Sequence, residues 1–187
     1  MSTNSREAIL AAATDIAQAH GYGGMNYREL ASAVGIKAAS IYHHFPSKAD
    51  LGAAVAKRYW ETTASDLEAL LIETGDPTRA LQAYSRIFRR SLERENRLCL
   101  CSFMSAEYDD LPDAVKTEVQ AFTDVNVDWL ARTLAAANGS RVEANAAKAR
   151  AIFAAVAGAQ LLARSRADIS VFDALIESYR SSGLIAA

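Results

Sequence analysis

Apolar residues recur along the chain every three or four positions, as in Ile9, Ala12, Ala13 and Ile16, and no stretch longer than four residues alternates with the period of two of a half-buried strand. The pattern predicts an all-α fold. Helices are expected over about 5–20, 27–34, 38–44, 48–74, 77–95, 99–108, 112–138, 141–166 and 170–182, about nine in total. Asn26 with Glu29, Ser140 with Glu143 and Ser170 with Asp173 have the spacing at which a side chain satisfies unpaired first-turn N–H groups. Pro77 and Pro112 stand where a helix can begin, because a missing N–H there costs no intrahelical bond. Gly21, Gly35, Gly75 and Gly139 are the matching stops.

Over 26–48 the pattern narrows to two short helices joined at Gly35, the spacing of a helix-turn-helix. Leu30, Ala31, Val34, Ile36, Ile41 and Phe45 supply an apolar inside, with Ala31 small where the helices cross. The outside carries Lys37, Ser40, Tyr42, His43, His44 and Lys48, and no Asp or Glu occurs over 30–49, as a surface facing phosphates requires. Charge follows the same division. Residues 1–60 hold six Lys or Arg against four Asp or Glu, whereas 61–187 hold 14 against 18. This places a DNA-reading domain over 1–48 and an acidic helical domain over 49–187.

Composition bounds the remaining classes. With 187 residues, 51% hydrophobic, 22% charged and a net charge of −2, the chain fits a folded globular protein rather than a disordered or polyelectrolyte one. The charge-free stretch 151–163, between Arg150 and Arg164, falls short of the roughly 20 residues of a membrane span, so no membrane association is expected. Segment 8–13 follows a single Arg6 and is cut off by Asp15, a poor secretory leader. Cys99 and Cys101 are too close in sequence for a structural disulfide. A cytoplasmic protein with reduced thiols is expected.

The run 36–45 followed by Lys48, with Leu30-Ala31 upstream and Gly21 after the first helix, resembles the DNA-binding domain of TetR-family transcriptional regulators. The match covers about 5–60 and rests most on Ile41-Tyr42-His43-His44-Phe45 and Lys48. The resemblance implies a homodimer that reads a palindromic double-stranded operator and is released by a small-molecule inducer. It places helix 38–44 in the major groove, with Lys37, Ala38, Ser40 and His43 nearest base edges and Ala39 close to the backbone. Tyr42, His44, Lys48, Asn26 and Arg28 would then touch phosphates or sugars. Many relatives carry Ser where this chain has Lys37 and Gly where it has Ala39, so the recognition helix is expected to start without its usual cap.

For the acidic domain, the alanine-rich last two long helices offer a close-packing face. Ile152, Phe153, Val156, Leu161, Leu162, Phe172, Leu175, Ile176 and Tyr179 are expected to form a four-helix interface across a two-fold axis, as the resemblance suggests, with an intramolecular core as the alternative. An effector pocket for a small, largely apolar ligand is placed among Tyr84, Phe88, Cys99, Phe103, Met104, Tyr108, Phe122 and Trp129, each of which could equally be core. Cys99 and Cys101, close to Arg94 and Arg97, permit thiol-based sensing of an oxidant or electrophile, against the common fate of buried, inert cysteines. Glu107, Asp109, Asp110 and Asp113 form the densest carboxylate cluster, and because three of the four flank Pro112, where negative charge stabilises a helix start, it is not read as an acid–base or metal site. His43 and His44 point about 100° apart and cannot chelate together. No metal site, cofactor or enzymatic motif is expected. The reading from another class is a helical small-molecule-binding or enzymatic domain whose N-terminal motif merely packs.

Overall fold

The computed structural model describes residues 2–186, whose regular structure is helical, with no strand among them. Ten α-helices follow one another: α1 (Ser2–His20), α2 (Tyr27–Val34), α3 (Ala38–His44), α4 (Lys48–Thr74), α5 (Pro77–Ala83), α6 (Ser85–Glu93), α7 (Leu100–Ala106), α8 (Asp113–Asn138), α9 (Ala146–Arg166) and α10 (Ile169–Ser181). Short 3-10 turns occupy Tyr108–Asp110 and Glu143–Asn145. The helix expected over 77–95 is two helices, broken at Tyr84.

Local chemistry explains most boundaries. Asn26 and Asp76 cap α2 and α5 by accepting from the N–H groups of Arg28 and Arg79, both at 2.8 Å, and Pro77 is the first residue of α5. Gly35 closes α2 with φ of 73°, a left-handed turn at which a Cβ would be strained. Two expected caps are corrected. Asp168, not Ser170, caps α10, accepting from the Ser170 N–H at 2.9 Å. Ser140 lies too far from α9, which begins only at Ala146 after the 3-10 turn.

Ala167 ends α9 at φ of 50°, a left-handed position that glycine occupies without steric cost. Ala167→Gly should therefore stabilise the protein by about 0.5–1 kcal/mol, the steric relief exceeding the added unfolded-state entropy. Urea unfolding would show a raised midpoint at unchanged slope; a lowered midpoint would mean the turn is not strained.

Two compact units divide the chain, and the division falls within α4 and α8. The first extends through Glu61, beyond the expected limit at 48, and also takes in Leu100–Phe122. In it α1 packs against α2 and α7 around Ile9, Leu10, Leu30, Ile41, Leu51, Val55, Leu100 and Met104, all essentially inaccessible. Trp60 Nε1 donates to Glu118 Oε2 at 2.7 Å within this unit.

The second unit comprises Thr62–Cys99 and the residues from Thr123 onward. Here α9 packs on α10 and α6, burying Ile152, Val156, Phe172 and Ile176. Gln160, fully buried on α9, accepts from the Cys99 N–H at 2.9 Å and donates to the Phe88 carbonyl at 2.7 Å. Tertiary contacts converge on the break at Tyr84. Its ring stacks on Trp129 with centroids 5.8 Å apart, and its hydroxyl donates to Asn126 Oδ1 at 2.9 Å.

The stretch Glu143–Arg166 is long and apolar enough, by length and composition, to cross a membrane. This corrects the expectation drawn from 151–163 alone, which stopped at the flanking arginines. Its apolar character comes largely from alanine, and one face of α9 is buried inside the second unit.

Candidate nucleic-acid interface

Helices α2 and α3 meet over Leu30, Ala31 and Ile41, with Phe45 buried just beyond α3, while Val34 and Ile36 are only half-buried. Fixing these apolar residues inward turns the polar ones outward. Lys37, Ala39, Ser40, Tyr42, His43, Asn26 and Arg28 are exposed, and Ala38, His44 and Lys48 are half-buried. Tyr42 has 55% of its surface open. As the sequence implied, Lys37 stands at the N-cap of α3 and makes no side-chain capping bond.

Asn26, Arg28, Ala38, Tyr42 and Lys48 come together in one groove with Met25 and Tyr27. The other expected contacts, Lys37, Ala39, Ser40, His43 and His44, lie on or next to α3 outside it. Asn26 uses its side-chain oxygen to cap α2, which leaves its amide N–H groups for a partner. Lys48 is anchored: its Nζ donates to the Gly23 carbonyl at 2.9 Å and lies 4.7 Å from the Tyr22 ring centroid. One of its three N–H groups is thus spent within the chain.

Two features of this groove escaped the sequence reading. Tyr27 packs against Tyr42, with centroids 4.6 Å apart, and its hydroxyl donates to the carbonyl oxygens of Phe45 and Ser47 at 2.8 and 2.7 Å. Burial, with Tyr42 and Asp50 adding, pushes the Tyr27 hydroxyl up to about 12, so it remains a donor. Ser47 and Asp50 form a reciprocal cap at the start of α4. The Ser47 N–H and Oγ–H donate to Asp50 Oδ2 at 3.0 and 2.7 Å, and the Asp50 N–H returns to Ser47 Oγ at 3.1 Å. The spacing Ser47-Lys48-Ala49-Asp50 was the available signal. Together these bonds fix the turn between α3 and α4 and hold the N-terminus of a 27-residue helix, a favourable place for a phosphate, beside the groove.

The residues expected to line an effector pocket divide between the units. Tyr84, Phe88, Cys99 and Trp129 are buried in the second, where Phe88 also lies 5.6 Å from Tyr84 between ring centroids. Burial, with Cys99 adding, holds the Tyr84 hydroxyl well above the usual phenol range. The Trp129 indole N–H is buried without a hydrogen-bond partner. Phe103, Met104, Tyr108 and Phe122 belong to the first unit, where Phe122 packs on Tyr59 and half-exposed Tyr108 lies beneath the Lys116 ammonium. A groove on the second unit is polar instead, bounded by Arg79, Arg86, Glu177 and Arg180.

Of the expected dimer residues, Ile152, Val156, Phe172 and Ile176 are buried in the chain's own core, which is the intramolecular alternative. Leu161 and Leu162 are 57% and 51% exposed, and Phe153, Leu175 and Tyr179 are half-buried. Cys99 and Cys101 are both buried and form no disulfide. The carboxylates also separate. Asp109 and Asp110 lie in the 3-10 turn and Asp113 opens α8, as helix-start charges should, whereas Glu107 binds the turn after α1.

A short helix packed through Leu30 and Ala31 and crossed by an exposed, acid-free second helix is the arrangement of a helix-turn-helix DNA-binding domain. Residues 9–55 match the family described as bacterial regulatory proteins, tetR family. The fold of the whole chain agrees. A TetR transcriptional regulator from Legionella pneumophila superposes with a TM-score of 0.87 at 29% identity, covering 94% of this chain and 95% of that one. A TetR-family regulator from Agrobacterium tumefaciens gives 0.88 at 28% identity over 100% of both chains. The HTH-type transcriptional activator FasR of Mycolicibacterium smegmatis is 28% identical over 130 residues, 68% of this chain but only 59% of that protein. The chain thus carries a tetR-family DNA-binding segment over 9–55, within a fold similar to that of TetR-family transcriptional regulators.

Proposed function

We propose that the chain is a ligand-responsive homodimeric repressor that binds palindromic operator DNA and is released by a small, largely apolar inducer. The observation that carries this reading is the groove that gathers Asn26, Arg28, Tyr42 and Lys48 beside the exposed face of α3. Two such heads related by a two-fold axis would place their recognition helices in successive major grooves, about 34 Å apart. Lys37, Ala38, Ser40 and His43 would face base edges, Ala39 the backbone, and Tyr42, His44, Lys48, Asn26 and Arg28 phosphates or sugars. A bound dimer blocks a promoter it overlaps, which favours repression; the relative FasR carries the name of an activator, and a promoter-reporter fusion reads the polarity directly.

Dimerisation is assigned to the outward face of α9 and α10, with Leu161 and Leu162 at its centre and Phe153, Leu175 and Tyr179 around them. Two adjacent leucines more than half exposed on one helix are apolar surface that a partner helix would cover. Leu161→Glu should convert the dimer to monomer with α-helical content unchanged, as measured by light scattering and circular dichroism. A dimer that persists in Leu161→Glu and Leu162→Glu together would refute this face.

The effector site is assigned to the second unit around Tyr84, Phe88 and Trp129, where an inducer carrying one oxygen acceptor would satisfy the Trp129 indole N–H. An inducer acts only by binding the DNA-incompetent state more tightly than the competent one. The burial of Cys99 and Cys101 gives the thiol-sensing alternative no accessible nucleophile, so it is not adopted. A cytoplasmic location follows from the proposed DNA partner. The proposal is tested by incubating the full chain with fragmented genomic DNA from its source organism and sequencing what is retained. Enrichment of fragments sharing a two-fold symmetric site supports it; uniform recovery contradicts it.

A further inference from the structure

The turn between α1 and α2 is held from two sides. Gly21, left-handed at φ of 71°, ends α1 and turns the next N–H groups outward. Glu107, just past the C-terminus of α7, receives two of them: the Tyr22 N–H donates to Oε2 at 2.6 Å and the Gly23 N–H to Oε1 at 3.0 Å. Both carboxylate oxygens are therefore engaged by backbone, a charge-assisted pairing stronger than a neutral one. The seat is tight. A Cβ on Gly21 would overlap the carboxylate, and one on Gly23 would lie 3.1 Å from Oε1.

From the opposite side, Lys48 Nζ donates to the carbonyl oxygen of the same Gly23 and rests over the Tyr22 ring. An unbroken set of bonds thus links a carboxylate, 84 residues from Gly23 in sequence, through Gly23 to the ammonium group in the candidate DNA groove. Glu107 fixes Tyr22 and Gly23, Gly23 fixes Lys48, and Lys48 keeps two further N–H groups for another acceptor.

We propose that Glu107 is a positioning residue for DNA binding: by clamping the α1–α2 turn it aims Lys48 at a backbone phosphate. This rests on the DNA-binding reading above. It makes the segment that follows α7 a control point, because any movement that withdraws Glu107 releases the turn to which Lys48 is tied.

The test is a double-mutant cycle with Glu107→Ala, Lys48→Ala and their combination, plus Glu107→Gln as a milder variant. Affinity is read by fluorescence anisotropy on a duplex carrying the symmetric site recovered by the genomic selection, against unrelated competitor DNA. Amide hydrogen exchange at Tyr22 and Gly23 is followed in the same proteins. Glu107→Ala should weaken binding about tenfold with Lys48 present and less than about twofold with Lys48→Ala, since a positioning effect needs the group it positions. Glu107→Gln, which keeps one strong acceptor oxygen, should lose only about threefold. Exchange at both amides should accelerate in Glu107→Ala. An equal loss in both Lys48 backgrounds, or unchanged affinity, overturns the proposal, as does unchanged exchange at both amides. Wild-type protein that does not prefer the selected duplex over competitor overturns the DNA-binding reading instead, a result the exchange data keep separate from failure of the clamp.

Discussion

Tyr84→Ala is expected to lower the unfolding free energy by about 4 kcal/mol, and Tyr84→Phe by about 1 kcal/mol. The large variant removes a ring that is fully buried, stacked on Trp129 and packed beside Phe88, and so leaves a cavity in the second unit. The conservative variant removes only the hydroxyl that donates to Asn126. Urea unfolding would show both as lowered midpoints. Losses of similar size would mean that the hydroxyl, rather than packing, dominates; a Tyr84→Ala cost below about 1 kcal/mol would mean that the neighbouring rings collapse into the space.

The other large effect concerns DNA. Lys48→Ala and Tyr42→Ala should each weaken binding about tenfold, and Lys48→Ala should also reduce the salt slope by about one, the signature of a lost phosphate contact. Neither side chain is part of the buried core, so α-helical content should be retained. Tyr42→Ala gives up ring contact with Tyr27 as well, at a stability cost of about 1 kcal/mol or less. Both variants binding like the wild type would remove these residues from the interface and favour the reading in which the N-terminal motif only packs.

What the sequence could disclose was chiefly what is decided locally. Asn26, Asp76-Pro77, Gly35 and Gly75 each act within a turn of their own helix, and the expected boundaries there hold. The motif at 26–48 was legible for the same reason: its inward and outward residues alternate within two short helices, and the acid-free stretch is visible without any tertiary information. Tyr84 was not legible as a break, because nothing in residues 77–95 interrupts helical periodicity; stacking on Trp129, 45 residues on, accompanies the break. The role of Glu107 was not legible for a similar reason. In sequence it is one more carboxylate of an acidic cluster, and only the fold brings the amides of Tyr22 and Gly23 to it. On α9 the apolar face could be listed but not phased. Alanine surrounds the helix, so the sequence could not tell that Ile152 and Val156 point inward while Leu161 and Leu162 point outward.

The central claim is that this head recognises a particular DNA sequence, and a salt-varied titration of the full chain tests it most directly. Labelled duplex carrying the site recovered from the genomic selection would be titrated at several salt concentrations beside an unrelated duplex of equal length. The expected result is saturation at two chains per duplex, affinity that falls steeply with salt for both DNAs, and a preference for the selected duplex of about a thousandfold or more that persists as salt rises. Equal affinity for a site recovered from the genomic selection and for unrelated DNA at every salt concentration would contradict it, leaving only the attraction of a basic surface for phosphate.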